Sequence, residues 1–532
     1  MLSCYNDYMK RKMLPIGESN FRNLITDGYL YVDKTEYIYR LITSLKYYFL
    51  SRPRRFGKSL LISTLEEIFK GNKELFKGLW IYNSDYDWPI HPILILDFNE
   101  MEADNPENLK IGIVKSLLEI GESYNIELED ESPKYMLIDL VKALHKKYNR
   151  NVVILIDEYD KPIIKHLGAG KERLEIAKEN REILKDFYGT LKGASVIERL
   201  RFLLLTGVSK FSKAGIFSEL NNLFDLTMDA SNATILGITD DEVDSYFGCY
   251  LKEYADIMGK SYEDVREEVR NYYNGYRFSH ADVKVYNPYS LVSFFKKKEF
   301  SNYWFESGTP TFFVNLIKER DYYLPDMEEY SVRSTVFSSY DLENLDVTAI
   351  LFQTGYLTIK DYNPETDRYT LSYPNVEVKR SFIDFILDHF TQKRASNLYT
   401  QLYDHLFSGD IDKFISVMQT IFATITYDEG SKLNEANFHS LFYVILSAGS
   451  VPARSQVLNF SGRIDMVVEI KDKVYIFEFK CDQEASKAID QIKRNEYYKG
   501  YLHQNKKIHL VGINFDSVKR NVSEYLVENV EL

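Results

Sequence analysis

The two stretches NVVILIDEYD (151–160) and RFLLLTGVSK (201–210) are apolar for most of their length and then end abruptly on polar groups. A strand with one wet face alternates, whereas a continuous apolar run must be buried on both faces, which is the signature of a parallel sheet. YYFLS (47–51) and PILILDF (92–98) read the same way. Between them LLISTLEEIF (60–69) and the region 107–148 carry helical spacing. Strands alternating with helices over the first ~220 residues predict an α/β layer structure, a parallel sheet covered on both sides.

The polar ends of these runs carry the chemistry. YYFLS leads into SRPRRFGKSL (51–60), which ends as a phosphate-binding loop does, on Gly57-Lys58-Ser59, but has Arg52 where such loops have their first glycine. A phosphate cradle needs consecutive main-chain N–H groups, a helix N-terminus and a lysine converging on one anion. Arg55 through Ser59 supply the amides, Lys58 reaches the terminal phosphates, and Ser59 is placed to ligate Mg²⁺. The full nucleotide-contacting set expected is Arg54, Arg55, Phe56, Gly57, Lys58, Ser59 and Leu60, with Asp157 and Thr206. At the tip of VVILIDEYD, Asp157 is positioned to hold the Mg²⁺ shell and Glu158 to polarise the attacking water. Thr206 and Ser209, at the next tip, are both candidates to sense the terminal phosphate. Arg54, Arg55, Arg199, Arg201 and Arg277 are candidates for a charge-neutralising arginine offered to a neighbouring subunit.

From about 230 to 400 the pattern changes to short helices with tyrosine-rich turns, among them YYNGYRFS (272–279), YNPYS (286–290) and QTGYLTI (353–359). A helical stretch from ~397 to ~448 leads to RIDMVVEI (463–470), VYIFEFK (474–480), a helix over 484–503 and KIHLVGINF (507–515). The expected domains are 1–225, 226–400 (mostly helical, lid-like or winged-helix-like) and 401–532.

The C-terminal hairpin can be read by register. A two-residue turn gathers Met466, Val468, Ile470, Tyr475, Phe477 and Phe479 on one buried face. It sets Asp465 opposite Glu478 or Lys480 on the other. A one-residue slip would scatter the apolar side chains. Two carboxylates and a lysine are costly to bury without a partner, and a divalent cation is one. Asp465 and Glu478, with the Phe479 carbonyl, would bind Mg²⁺ or Mn²⁺, while Lys480 would orient the attacking water and steady phosphate charge.

Other classes are disfavoured. Three scattered cysteines and nine histidines form no zinc spacing or disulfide framework. MLSCYNDYMKRKM lacks the apolar core of an export signal and no run approaches ~20 apolar residues, so a cytoplasmic protein without membrane partners is expected. The net charge of −13 argues against general polyanion binding, although local patches decide such contacts.

RPRRFGKSL, YVDKT (31–35), VVILIDEYD and LLLTGVSKFS together resemble the AAA-ATPase-like domain of a prokaryotic family. In that family an arginine at position 52 is usual, which implies an ATP site of modified geometry. The resemblance also places Asp33, Lys34 and Thr35 near the base, with a capped helix start as the alternative. Asp465 and Glu478-x-Lys480 resemble the core of the PD-(D/E)XK nuclease superfamily, a restriction-endonuclease-like α/β domain. That likeness implies supporting roles for Glu435, Gln491 and Tyr497. The middle region matches through YNGYRF, YWFESGTP and LFQTGYL, to which structural packing is assigned. His439 is read as a packed or surface histidine. The expected activity is therefore ATP hydrolysis joined to metal-dependent cleavage of nucleic acid, DNA favoured, with homo-oligomerisation possible and ATP gating of cleavage. The rivals are a regulatory ATPase whose terminal domain binds nucleic acid or protein without cutting, and a small-molecule kinase.

Overall fold

The computed structural model describes residues 12–129, 132–168, 170–210, 222–304, 324–338, 346–391, 396–425 and 433–530. The FS of LLLTGVSKFS and the FESGTP of YWFESGTP lie outside them. The chain forms two compact units, one of Met1–Leu316 with Glu329–Val378, the other of Ile317–Glu328 with Lys379–Leu532.

In the first unit the four apolar runs are strands β1 (Tyr47–Ser51), β2 (Ile93–Asp97), β3 (Val152–Asp157) and β4 (Leu200–Gly207), joined by the short β5 (Phe224–Asp225). All pair in parallel, in the order β2-β3-β4-β1-β5. Every residue of β3 is buried, as its uninterrupted apolar run requires. The predicted helical region after β2 is two helices, Pro106–Ser123 and Pro133–Tyr148, each with proline in its first turn, where a missing N–H costs nothing.

The strand order positions the site. Because β4 lies between β1 and β3, the loop after β1, the acids ending β3 and Thr206 of β4 emerge side by side at one edge. The middle region is helical (Asp240–Met258, Tyr262–Tyr273, Pro288–Lys297, Val347–Thr354). It also carries a small antiparallel sheet of β6 (Tyr330–Arg333), β7 (Thr358–Asn363) and β8 (Arg368–Ser372). Its first three helices build an aromatic core in which Phe247 stacks on Phe295 and Tyr273 on Phe300.

The second unit holds a five-stranded mixed sheet of β9 (Ala453–Asn459), β10 (Gly462–Ile470), β11 (Lys473–Cys481), β12 (Lys507–Asp516) and β13 (Asn521–Val530), in the order β13-β12-β11-β10-β9. Ile470 pairs with Lys473 and Met466 with Phe477, the two-residue-turn register. Both faces of the hairpin are buried, however, not one. The helix Glu435–Ala448 covers Phe477 and Phe479 with Phe442. The crossover helix Ala485–Arg494, which the parallel β11–β12 step demands, covers Val467, Val474 and Ile476 with Ile489 and Ile492. The predicted 484–503 helix ends at Arg494 and continues as 3₁₀ turns over Tyr497–Gln504.

Candidate functional site

The loop between β1 and the helix Lys58–Phe69 turns on Gly57, whose φ of 92° a side chain would strain. The amides opening that helix have no intrahelical acceptor and suit an anion. Lys58 is buried; its Nζ donates to the carbonyls of Arg52 (3.2 Å) and Pro53 (3.4 Å) and lies 3.3 Å from Glu158 Oε1. Ser59 Oγ donates to Asp157 Oδ2 at 2.6 Å, and the Thr206 hydroxyl donates to Asp157 Oδ1. The loop serine, the β3 acid and the β4 threonine are thus one hydrogen-bonded chain. Ser209 turns elsewhere, donating to Asp160 Oδ2 at 2.7 Å. Glu158 sits in left-handed backbone, φ 51°, a conformation that concentrates at functional sites.

Arg54, Arg55, Phe56, Gly57, Lys58, Ser59, Leu60 and Glu158 line a cavity of about 640 Å³, together with apolar Leu30, Val32, Ile38 and Phe247. That volume suits a nucleotide-sized ligand. Asp157 and Thr206 stand behind this wall, buried. Of Asp33, Lys34 and Thr35, only Lys34 lines the cavity, beside Tyr31 and Val32, and it is held by Glu242 and the Thr234 carbonyl. Asp33 instead accepts from the Thr35 amide (2.8 Å) and the Trp80 amide (2.6 Å).

Arg52 explains the missing glycine. Its side chain is wholly buried, donates Nη1 to the carbonyls of Ser51 (2.9 Å) and Thr227 (2.8 Å), and reaches the Asn232 carbonyl at 3.4 Å. Its guanidinium stacks 4.2 Å over Phe278. Burial pulls its pKa down to about 9, against the opposing pull of Asp225. The arginine points away from the cavity and braces the loop against the segment after β5.

The middle-region motifs converge on the same loop. Phe56 packs edge-on against Tyr276 and Phe278 of YNGYRF, and Arg55 lies over Tyr289 of YNPYS at 4.2 Å. Asn287 Nδ2 and Trp304 Nε1 both donate to the Arg54 carbonyl. A Cβ on Gly355 of LFQTGYL would come within 2.8 Å of Pro53. Among the arginine candidates, Arg277 is buried and spends its donors on the carbonyls of Ser279, His280, Ala281 and Lys360, so it cannot project to a neighbour. Arg199 and Arg201 stand at the far end of β4 from Thr206.

Sequence reasoning missed two acids here. Asp97 ends β2 directly beside Asp157, and burial, then the charges of Asp157 and Glu158, raise its pKa. Asp160 is fully buried, accepts from the amides of Val208 and Ser209, and is raised to about 6, by burial first and Glu158 second. VVILIDEYD displays both halves of this second signal, but only the pairing shows that its last acid serves β4.

In the second unit, β10 and β11 carry Asp465 and Glu478 to facing positions, one step beyond the Met466–Phe477 pair. Glu478 is 1% exposed on a central strand, which rules out a solvated edge hairpin. Asp465 Oδ2 accepts from the Phe479 amide at 2.9 Å. Lys480 Nζ donates to the Phe479 carbonyl at 2.7 Å and lies 3.5 Å from Glu478 Oε1. Burial raises both carboxyls, and Asp465 raises Glu478 further. Glu435, the first residue of its helix, adds its field to both. Tyr497 Oη donates to the Arg463 carbonyl at 3.0 Å, two residues before Asp465. Gln491 is half-buried on the crossover helix. His439 is buried against Phe479, within hydrogen-bond reach of Ser455 and Gln456. It is packed, as expected, but beside the acids, and burial lowers it to about 4.

These residues fit a divalent cation. Glu478 Oε2 is buried without a hydrogen-bond partner, and the Lys480 ammonium already stands as a positive charge among the oxygens. Among the described residues no three His, Cys, Asp or Glu side chains close around one point, so a cation would draw on two carboxylates, the Phe479 carbonyl and water.

Residues 15–217 match the family model described as a predicted AAA-ATPase, and residues 433–525 match that of the PD-(D/E)XK nuclease superfamily. An uncharacterised protein in the vnfD 5′ region of Azotobacter chroococcum mcd 1 is 36% identical over 535 residues, spanning 98% of this chain and all of the relative. The chain belongs to this AAA-ATPase-like, PD-(D/E)XK-containing family. Family membership supports nucleotide binding and a nuclease-like C-terminal domain as general kinds of function. Among the described residues no helix is long and apolar enough to cross a membrane.

Proposed function

We propose that this protein hydrolyses ATP in its first unit and cleaves a phosphodiester bond of nucleic acid, DNA favoured, in its second. The observation that carries the reading is the buried Asp465–Glu478–Lys480 cluster with its orphaned carboxylate oxygen, on the same chain as the Ser59–Asp157–Thr206 relay.

In the first site the loop amides and Lys58 hold the β- and γ-phosphates, Ser59 and Asp157 would hold the Mg²⁺ that accompanies ATP, and Thr206 fixes Asp157. Phosphate binding competes for Lys58 and frees Glu158 to accept a proton from the water whose oxygen attacks the γ-phosphorus, while the bond to the β-phosphate oxygen breaks and ADP leaves. In the second site Asp465, Glu478 and the Phe479 carbonyl would hold Mg²⁺ or Mn²⁺. That ion supplies Lewis-acid stabilisation of phosphate charge and a more acidic bound water. Lys480 orients the attacking water and offers its ammonium to the phosphate oxygens. Attack at phosphorus breaks one P–O ester bond, leaving a phosphomonoester and a hydroxyl end. Tyr497 steadies the strand that carries Asp465 through its bond to the Arg463 carbonyl, and Glu435 adds negative charge that favours a bound cation.

Incubating purified protein with single-stranded, duplex and branched DNA and with RNA, with and without Mg²⁺ and ATP, tests this. Metal-dependent cleavage lost in Asp465→Ala, with ATPase activity lost in Lys58→Ala, is the expected result. A wild type that binds DNA and never nicks it favours the regulatory ATPase instead.

A further inference from the structure

The turn between β9 and β10 breaks the rules for a hairpin of its length. Asn459 pairs with Gly462, leaving Phe460-Ser461 as a two-residue loop. Such loops favour Asn, Asp and Gly at positive φ, but here neither Phe460 nor Ser461 has positive φ, and Gly462 carries it instead. Here Phe460 stands at the tip 70% exposed, and Leu458, one residue before the loop, is 76% exposed. Burial does not require either side chain and turn propensity does not select Phe460.

The tip is nonetheless held firmly from below. Ser461 Oγ donates to the Asn495 carbonyl, Asn459 Nδ2 donates to the Tyr497 carbonyl at 3.1 Å, and Asn495 Nδ2 donates to Tyr497 Oη at 2.9 Å. Gly462, φ 148°, lets the strand pass close over Tyr497, whose Oη a Cβ there would meet at 3.3 Å. An apolar pair displayed on a braced turn is preorganised for a ligand, since little flexibility is left to lose on binding.

Two features say what the ligand is. Arg463, directly across from Leu458, and Arg494, at the end of the crossover helix that leads into Asn495, are exposed and have no ion pair among the described residues. The same strand that rises from the tip reaches Asp465 three residues after Gly462, about 10 Å at the rise of a strand. An exposed aromatic flanked by free guanidinium groups beside a phosphodiester-cleaving cluster matches a polynucleotide, with phosphates for the arginines and a base face for the ring.

We infer that the Phe460 hairpin is a substrate-binding element of the second unit, stacking Phe460 on an unpaired nucleobase next to the bond cleaved while Arg463 and Arg494 hold the adjoining phosphates. The inference rests on the proposed nuclease reading. It adds a residue outside the metal-binding and Lys480 cluster, and it predicts a preference for strands with accessible bases, of either sugar, over blunt duplex.

Fluorescence anisotropy of the full-length protein with labelled single-stranded DNA, single-stranded RNA and blunt duplex, in Ca²⁺ to support binding without turnover, tests it. Phe460→Ala should weaken single-strand binding about tenfold, the scale of one lost base stack, with duplex binding changed less. Phe460→Trp should retain it. Arg463→Ala with Arg494→Ala should weaken all nucleic acids and flatten the salt dependence. An unchanged melting temperature in each variant excludes misfolding as the cause. Wild type that binds single strands while Phe460→Ala binds them equally well overturns this inference alone. Hairpin variants that lose only self-association or vesicle binding likewise overturn this inference alone, whereas wild type that binds no nucleic acid overturns it together with the nuclease reading.

Discussion

At the scale of single residues, Arg52 shows how a departure from a familiar pattern can be structural. The usual glycine eases a turn, but here the turn is held by an arginine that fills its own buried slot. Arg52→Gly restores the common pattern and leaves the Thr227 and Asn232 carbonyls short of a donor, at roughly 1–3 kcal/mol for each buried orphan. The variant should melt lower and bind ATP more weakly. Arg52→Lys should not rescue it, because an ammonium cannot span three carbonyls and stack on Phe278. Calorimetry and nucleotide titration of both variants check this. Asp160 makes a pH prediction. Its folded pKa of about 6 lies above the ordinary aspartate value near ~3.9. The native state therefore holds its proton more tightly than the unfolded chain. This contribution is complete below pH ~4 and is lost as pH rises through ~6, by roughly 2–3 kcal/mol. Melting temperatures recorded from pH 4 to 7 should fall less steeply in Asp160→Asn than in wild type, whatever the variant's absolute stability. The raised carboxyls of Asp465 and Glu478 give a second sign. A cation needs them ionised, so Mg²⁺ or Mn²⁺ affinity should rise with pH. Isothermal titration should show that rise flattened in Glu478→Gln.

At the scale of elements, the strands were legible because buried parallel strands have no polar residues to confuse the pattern, as all six residues of β3 illustrate. The β10–β11 register was legible because a slip would have scattered Met466, Val468, Tyr475 and Phe477 between the two faces. The burial of the opposite face was not, since the crossover helix that covers Val474 and Ile476 comes later in the chain. The middle motifs were opaque for a related reason. Phe56, Tyr276 and Phe278 are far apart in sequence, and no local pattern announces that a tyrosine-rich turn will grip a loop some 220 residues earlier. Seen together, YNGYRF, YNPYS, Trp304 and LFQTGYL brace the phosphate loop, and their glycines are fixed by that packing. A Cβ on Gly275, φ 116°, would lie 2.0 Å from the Pro374 carbonyl oxygen. Gly275→Ala should cost roughly 3 kcal/mol or more, read as a lowered thermal midpoint, and should depress ATP hydrolysis without touching a residue of the cavity wall. An unshifted midpoint would show that this contact gives way easily.

At the scale of the whole molecule, each unit has its own core, and each has a candidate site of its own. Two sites on one chain need not communicate, so gating has to be argued from linkage. If nucleotide binding in the first unit changes the affinity of the second for nucleic acid by some factor, nucleic acid must change nucleotide affinity by the same factor. Allosteric couplings of this kind run from about 5-fold to 150-fold, well within a titration. Titrating a non-hydrolysable ATP analogue with and without saturating single-stranded DNA should give the same ratio as titrating DNA with and without the analogue. Lys58→Ala, which removes the phosphate-binding ammonium but leaves the Asp465 cluster intact, should abolish both ratios and leave DNA affinity at its nucleotide-free value. Asp465→Ala, which leaves Phe460 and both arginines in place, should keep the coupling while losing cleavage. DNA cleavage that is unaltered in Lys58→Ala at saturating ATP would separate the two activities and leave a chain whose units work side by side.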